Sequence, residues 1–258
     1  DSTVYFSISP SEGITYQSGL ESFLEGHIPG ARFADLIHHL SNQQSTLDNA
    51  LPTPEAMQKA IQELGISNDS KVVIYSKDNH SWATRVWWML AWAGHENIAI
   101  LDGGFAAWEA AGHPVTTEQK SYALGHFTLN LKPDLIADQD AVKAAIDDRD
   151  IVIVDALPLP HYEGDFTMYQ RPGHIPSAVN VSASMMVNFK REFISSDEVA
   201  LMLESGPETP VITYCGSGVA ASSVAFNLKR AGFKHVAVYM GSLQEWTANP
   251  NNPMSTPY

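Results

Sequence analysis

The chain carries one set of short motifs twice, in the same order, and such a duplication confines it to two copies of a single folding unit. Gly26-His27-Ile28-Pro29-Gly30-Ala31 returns as Gly173-His174-Ile175-Pro176-Ser177-Ala178. Val72-Val73-Ile74-Tyr75 returns as Val211-Ile212-Thr213-Tyr214. Ala93-Gly94, Ile98 to Leu101, Gly103 and Trp108 return as Ala231-Gly232, Val236 to Tyr239, Gly241 and Trp246. The first copy has a longer insertion after its Gly-His-Ile-Pro. A chain of 258 residues has room for two ordinary domains. We expect them at 1–120 and 134–258, with a linker over 121–133.

Each copy alternates strand-like and helix-like runs. In the second, Ile151 to Asp155 is a continuous β-branched run, as expected of a strand covered on both faces. Asp140 to Asp147 reads as a helix with apolar Ala141, Val142, Ala145 and Ile146. Val211 to Tyr214 and Val236 to Tyr239 are further strands, separated by a helix from Ala220 to Ala231 that Gly232 stops. The first copy repeats this with Val72 to Tyr75, a helix from Ser81 to Ala93 ended by Gly94, and Ile98 to Leu101. The fold class is α/β, with a parallel sheet and helices on both faces in each copy. Sites in such folds lie at the carboxyl ends of strands.

Cys215, the one cysteine, stands at such an end. After it comes Gly216-Ser217-Gly218-Val219-Ala220, then the helix. Backbone N–H groups of a loop that opens a helix favour a thiolate, which is the nucleophilic form. The plain alternative is a small buried hydrophobe, which leaves the two glycines after it unexplained. The repeat position in the first copy is Ser76, so only the second copy carries a thiol.

Composition narrows the partners. Net charge is −14 and no run is rich in lysine or arginine, which disfavours nucleic acid and anionic membrane surfaces. The longest apolar run, Val86 to Ala93, is far short of the roughly 20 residues a membrane span needs. One cysteine precludes an internal disulfide framework and suits a reducing compartment such as the cytoplasm. No signal peptide is visible, and the opening at Asp1 just before strand-like Val4-Tyr5-Phe6 suggests that a short N-terminal piece is missing.

The doubled Gly-His-Ile-Pro, the strand-Cys-loop-helix unit and the Gly-x-x-x-x-Trp closings together resemble the tandem-domain rhodaneses, a sulfurtransferase family, over nearly the whole chain. The loop Cys215-Gly216-Ser217-Gly218-Val219 is similar to that of the 3-mercaptopyruvate sulfurtransferases. Thiosulfate-specific members usually carry basic residues there. The resemblance implies two rhodanese-like domains, the second catalytic and the first without its cysteine, and no cofactor or metal. It implies a small anionic sulfur donor (3-mercaptopyruvate favoured, thiosulfate the alternative) and a persulfide on Cys215. The acceptor would be cyanide, a low-molecular-weight thiol or a small redox protein.

Loop N–H groups of Gly216 to Ala220 would then hold the persulfide, with Gly216 and Gly218 allowing positive φ and close approach. A family Ser/His/Asp set that assists the substrate thiol maps onto Ser217 and Asp35, while its histidine is Asn49 here. Ser217 fits equally as a loop-stabilising serine, and Asp35 as a local cap. Two arginines that bind the donor carboxylate precede the family's second Gly-His-Ile-Pro. Arg171 is the one nearby, an ordinary surface arginine being its alternative, and His161 stands at the other position. His161 substitutes only when protonated; otherwise it is a solvent-facing histidine. The usual Val-Asp-Ala-Arg is Val154-Asp155-Ala156-Leu157, and the Thr that usually ends the loop is Ala220. Arg85 is expected to pair across the domain interface. His27 and His174 recur in both copies, cysteine or not, and are expected to fix a turn.

Three rivals are weaker. Gly216-Ser217-Gly218-Val219-Ala220-Ala221 fits a dinucleotide fingerprint, but the next strand ends at Tyr239-Met240 without the acidic residue that binds ribose. A cysteine phosphatase needs arginine at position 221, which is alanine. No metal-ligand spacing is present. A degenerate, partner-binding or sulfur-carrying relative remains the non-enzyme alternative, motivated by Asn49, His161 and Leu157.

Overall fold

A computed structural model describes residues 1–9 and 13–256. The chain divides into two units. The first holds Asp1–Lys132 with Lys190–Glu192, and the second holds 133–189 and the residues from Phe193 onward. The stretch expected as a linker belongs to the first unit almost to its end. Phe127 is buried, Gln62 donates to its carbonyl (2.8 Å), and the Lys132 N–H donates to the Trp92 carbonyl (2.8 Å). An apolar anchor with paired backbone has no reason to swing free.

The first unit opens with an antiparallel ribbon of β1 (Val4–Ser9) and β2 (Gly13–Ser18), of which the sequence marks only the start. α1 (Leu20–Glu25) follows, then α2 (Pro54–Glu63), started by proline in its first turn and by the Thr53 side chain accepting from the Ala56 N–H. β3 (Val72–Ile74) and β4 (Ile98–Ile100) pair in parallel across α3 (His80–Trp92), and α4 (Gly104–Ala110) comes last. α3 buries Trp82, Val86, Trp88, Met89 and Leu90, so it is apolar nearly all round, as a core helix must be.

In the second unit, β5 (Ile136–Ala137) and α5 (Gln139–Ile146) are followed by β6 (Val152–Asp155) and α6 (Leu159–Glu163). Then come β7 (Val179–Asn180), α7 (Ser196–Ala200), β8 (Val211–Tyr214), α8 (Val219–Arg230), β9 (Val236–Tyr239) and α9 (Ser242–Ala248). The sheet is entirely parallel, in the order β5-β9-β8-β6-β7. All four residues of the central strand β8 are buried, so it is covered on both faces. α8 carries buried Ser222 and Asn227, which donate to the carbonyls one turn back, Gly218 and Ser223. These polar side chains are therefore satisfied within the core.

The duplication is visible hydrogen bond by hydrogen bond. His27 Nδ1–H donates to the Phe23 carbonyl (2.8 Å) and His174 Nδ1–H to the Tyr162 carbonyl (2.7 Å), each ring stacked on an aromatic neighbour. The Ile28 N–H donates to the Tyr75 hydroxyl, and the Ile175 N–H to the Tyr214 hydroxyl. Both histidines thus fix a turn. Trp108 and Trp246 donate to the carbonyls of Pro114 and Pro253. α3 and α8 both end on a glycine at positive φ, Gly94 (92°) and Gly232 (94°), each with the paired N–H bonds of a Schellman turn. Among the described residues, no helix is long and apolar enough to cross a membrane.

Asp155, at the end of β6, is fully buried. Its Oδ1 accepts from the Leu157 N–H (2.8 Å), while Oδ2 has no partner at bonding distance. Burial raises its pKa from 3.8 to about 6, the Leu157 N–H and Tyr214 hydroxyl offsetting part of the effect. A raised carboxyl takes up a proton on folding, so its contribution favours the fold at low pH and weakens as pH rises through that window. Relative to wild type, Asp155→Asn should therefore gain about 2–3 kcal/mol between about pH 4 and 6, then level off. Urea unfolding across that range measures it; a difference independent of pH contradicts it.

Candidate active site

Cys215 leaves the carboxyl end of β8 and is 2% exposed. Its peptide group is held from the amino end of α9. The Cys215 carbonyl accepts from the Leu243 N–H (3.0 Å), and the Gly216 carbonyl from the Gln244 N–H (3.1 Å). In a trans peptide the N–H opposes the carbonyl, so the Gly216 and Ser217 N–H groups are directed away from α9. The Cys215 N–H itself donates to Ser242 Oγ (3.1 Å). Gly218 caps α8 at φ 79°, a left-handed conformation that glycine adopts without steric penalty. Val219 and Ala220 then open the helix, where first-turn N–H groups have no intrahelical acceptor and the macrodipole is positive. Loop N–H groups and a helix start are elements that favour an anion where one is bound.

Glycine at 216 has a close neighbour that the sequence does not show. Its φ lies outside the left-handed region. A Cβ built there would lie 1.5 Å from the Tyr169 hydroxyl oxygen, which rests directly against the loop. Ser217 and Val219 are buried and Ala220 is half-buried. Tyr169, Ser242, Leu243 and Gln244 escaped the sequence reading. The one available signal was Ser242, which stands where the first copy has Gly104.

Arg171 is held by backbone of its own unit. Its guanidinium donates to four backbone carbonyls: Nε to Thr247 (3.2 Å), Nη1 to Asn252 (2.6 Å), and Nη2 to Trp246 (3.2 Å) and Asn249 (2.8 Å). It caps the carboxyl end of α9 and fastens residues 249–252 to it, which occupies the donors that a substrate carboxylate needs. His161 lies half-buried on α6 with its ring 4.8 Å from Phe166, and burial lowers its pKa below the usual imidazole value. At neutral pH it is uncharged and no substitute for an arginine.

In the first unit, Asp35 is a local cap. Its Oδ1 accepts from the N–H groups of Ile37 and His38 (both 3.1 Å), and its Oδ2 from His38 Nδ1 (3.0 Å) and Ser18 (3.2 Å). Burial pushes its carboxyl up, but the His38 bonds and charge with Ser18 outweigh this and leave it below the ordinary value. Arg85, fully buried, donates to the Asn49 carbonyl (2.6 Å) within the same unit. Ser76 repeats the Cys215 geometry, its carbonyl accepting from the Phe105 N–H (3.2 Å).

Arg171→Ala should lower the stability of the second unit by about 2–4 kcal/mol, because charge-assisted bonds to part-buried carbonyls are lost together. Urea denaturation measures the loss, and an unchanged midpoint contradicts the assignment.

Comparison with known proteins places the chain in a family. The model of the rhodanese-like domain matches residues 17–111 and again 138–249. The chain is 33% identical over 240 residues to the 3-mercaptopyruvate sulfurtransferase of Escherichia coli (strain K12), covering 91% of this chain and 85% of that protein. It is 32% identical over 232 residues to the thiosulfate sulfurtransferase of Gallus gallus, covering 88% and 80%. Among solved structures it resembles EanB bearing a cysteine persulfide with ergothioneine, at TM-score 0.83 and 26% identity. That match covers 92% of this chain but only 62% of the other. With both units matched by one domain model, each around its own Gly-His-Ile-Pro, this chain belongs to the rhodanese-like domain family.

Proposed function

We propose that this protein is a sulfurtransferase that moves a sulfur atom from a small anionic donor, 3-mercaptopyruvate before thiosulfate, through a persulfide on Cys215. The observation that supports the reading is the Cys215 loop, whose carbonyls are tied to α9 and which runs directly into the start of α8. The Cys215 thiolate attacks the donor's sulfur. An S–S bond forms, the carbon–sulfur bond of mercaptopyruvate breaks, and its electron pair takes the thiol proton to give pyruvate. An acceptor thiolate then attacks the outer sulfur and releases Cys215, which completes a two-step covalent cycle. The persulfide anion is stabilised by the N–H groups of Gly216 to Ala220. Ser217 is the hydroxyl best placed by sequence to donate to the donor or persulfide. Asp35 and Arg171 each hold hydrogen-bond partners within their own units.

The absence of a basic side chain from residues 216–220 supports mercaptopyruvate. Likeness to the Gallus gallus enzyme keeps thiosulfate as the second reading, in which sulfite leaves instead of pyruvate. A thiol acceptor, either a small redox protein or a low-molecular-weight thiol, in a reducing cytoplasm completes the proposal.

Wild type should release pyruvate from 3-mercaptopyruvate, and Cys215→Ser should release none. Donor-treated wild type should gain about 32 Da on Cys215 by mass spectrometry. Failure to form pyruvate, and equally thiocyanate from thiosulfate and cyanide, rejects the enzyme. Gly216→Ala should lower kcat/KM about 100-fold by driving Tyr169 and the loop apart. Pairing it with Tyr169→Ala should recover part of that loss in steady-state assays, and no recovery contradicts the contact.

A further inference from the structure

Ser242 sits in a conformation that serine rarely adopts. Its φ is 51°, in the left-handed region, which costs a non-glycine residue about 1 kcal/mol or more. The repeat position in the first unit is Gly104, at φ 60°, where a Cβ would lie 2.6 Å from the Ser76 carbonyl oxygen. The backbone turn is thus common to both copies, and one of them makes it with the residue best suited to it. The copy with the cysteine keeps a serine. Ser242 is fully buried, and its hydroxyl has two defined partners: it donates to the Tyr239 carbonyl (2.7 Å) and accepts from the Cys215 N–H (3.1 Å). Tyr239 ends β9, the strand beside β8. The hydroxyl therefore ties the first peptide beyond β8 to the end of its neighbour, and holds that peptide at the point where the Cys215 side chain branches.

We propose that Ser242 is a positioning residue for Cys215: its hydroxyl, retained at the expense of a strained backbone, fixes the Cys215 peptide and so the direction in which the sulfur is presented. This rests on the reading of Cys215 as the nucleophile. The strain and the hydroxyl are separable by substitution. Ser242→Gly removes both, whereas Ser242→Ala keeps the strain and loses the hydroxyl.

Three measurements on the full chain test it: urea midpoint, kcat/KM with 3-mercaptopyruvate, and iodoacetamide alkylation of Cys215 across pH. Ser242→Gly should keep a near-wild-type urea midpoint, since relief of strain offsets the lost bonds. Its kcat/KM should fall about ten- to a hundredfold, and its alkylation profile should move to higher pH. Ser242→Ala should be less stable than Ser242→Gly and equally impaired. Wild-type kcat/KM and alkylation in Ser242→Gly would overturn the proposal while leaving Cys215 as nucleophile. A wild-type Cys215 inert to alkylation and to donor would instead remove the nucleophile reading, and this inference with it.

Discussion

The tie between the loop carbonyls and the amino end of α9 is the constraint on which the site depends. A parallel strand ends with its carbonyls unpaired beyond the sheet, and those groups must be satisfied somewhere. Here Leu243 and Gln244 satisfy them, so the opposite, N–H side of the loop is left toward the helix start. The same link exists in the first unit, between Phe105 and Ser76. The backbone arrangement is therefore a property of the duplicated unit, and the chemistry was layered on it by side chains. Ser76, Lys77, Asp78 and Asn79 fill the loop where the second unit has Cys215, Gly216, Ser217 and Gly218. Asn79 caps α3 with its side chain at an ordinary negative φ, whereas Gly218 caps α8 with backbone alone. One helix start is capped by a side chain and the other by backbone.

Much of this was legible in the residues. Continuous β-branched runs, glycine stops and the doubled motifs gave strand and helix positions to within a residue or so in the second unit, because a sheet buried on both faces leaves an unambiguous pattern. Cys215 was legible for a related reason: glycines directly after a strand have few purely structural uses. The ribbon of β1 and β2 was not. Its pattern is half exposed, and among the described residues it has no counterpart in the second unit to reinforce it. The ties of residues 121–132 to the first unit are hard to see in the sequence, because polar neighbours surround the buried Phe127.

The site side chains were harder. Arg171 has the right chemistry for a carboxylate, but sequence alone does not show that carbonyls at the end of α9 already claim it. Gly216 is expected to allow positive φ and close approach, and the group that lies close to it is the phenol of Tyr169. Asp35 and His161 differ in the same way, each set by neighbours that only folding brings near. Residue type indicates what a group can do, while its partners decide whether it is free to do it.

α9 links two distant stretches of chain. Its first residues set the loop of Cys215, and its last carbonyls are gripped by Arg171 together with residues 249–252. On the ribosome, the thiol is made before the helix that orients it, and before the segment that braces that helix. A growing chain therefore carries its sulfur without the scaffold that orients its loop, and acquires that scaffold only as α9 and residues 249–252 emerge.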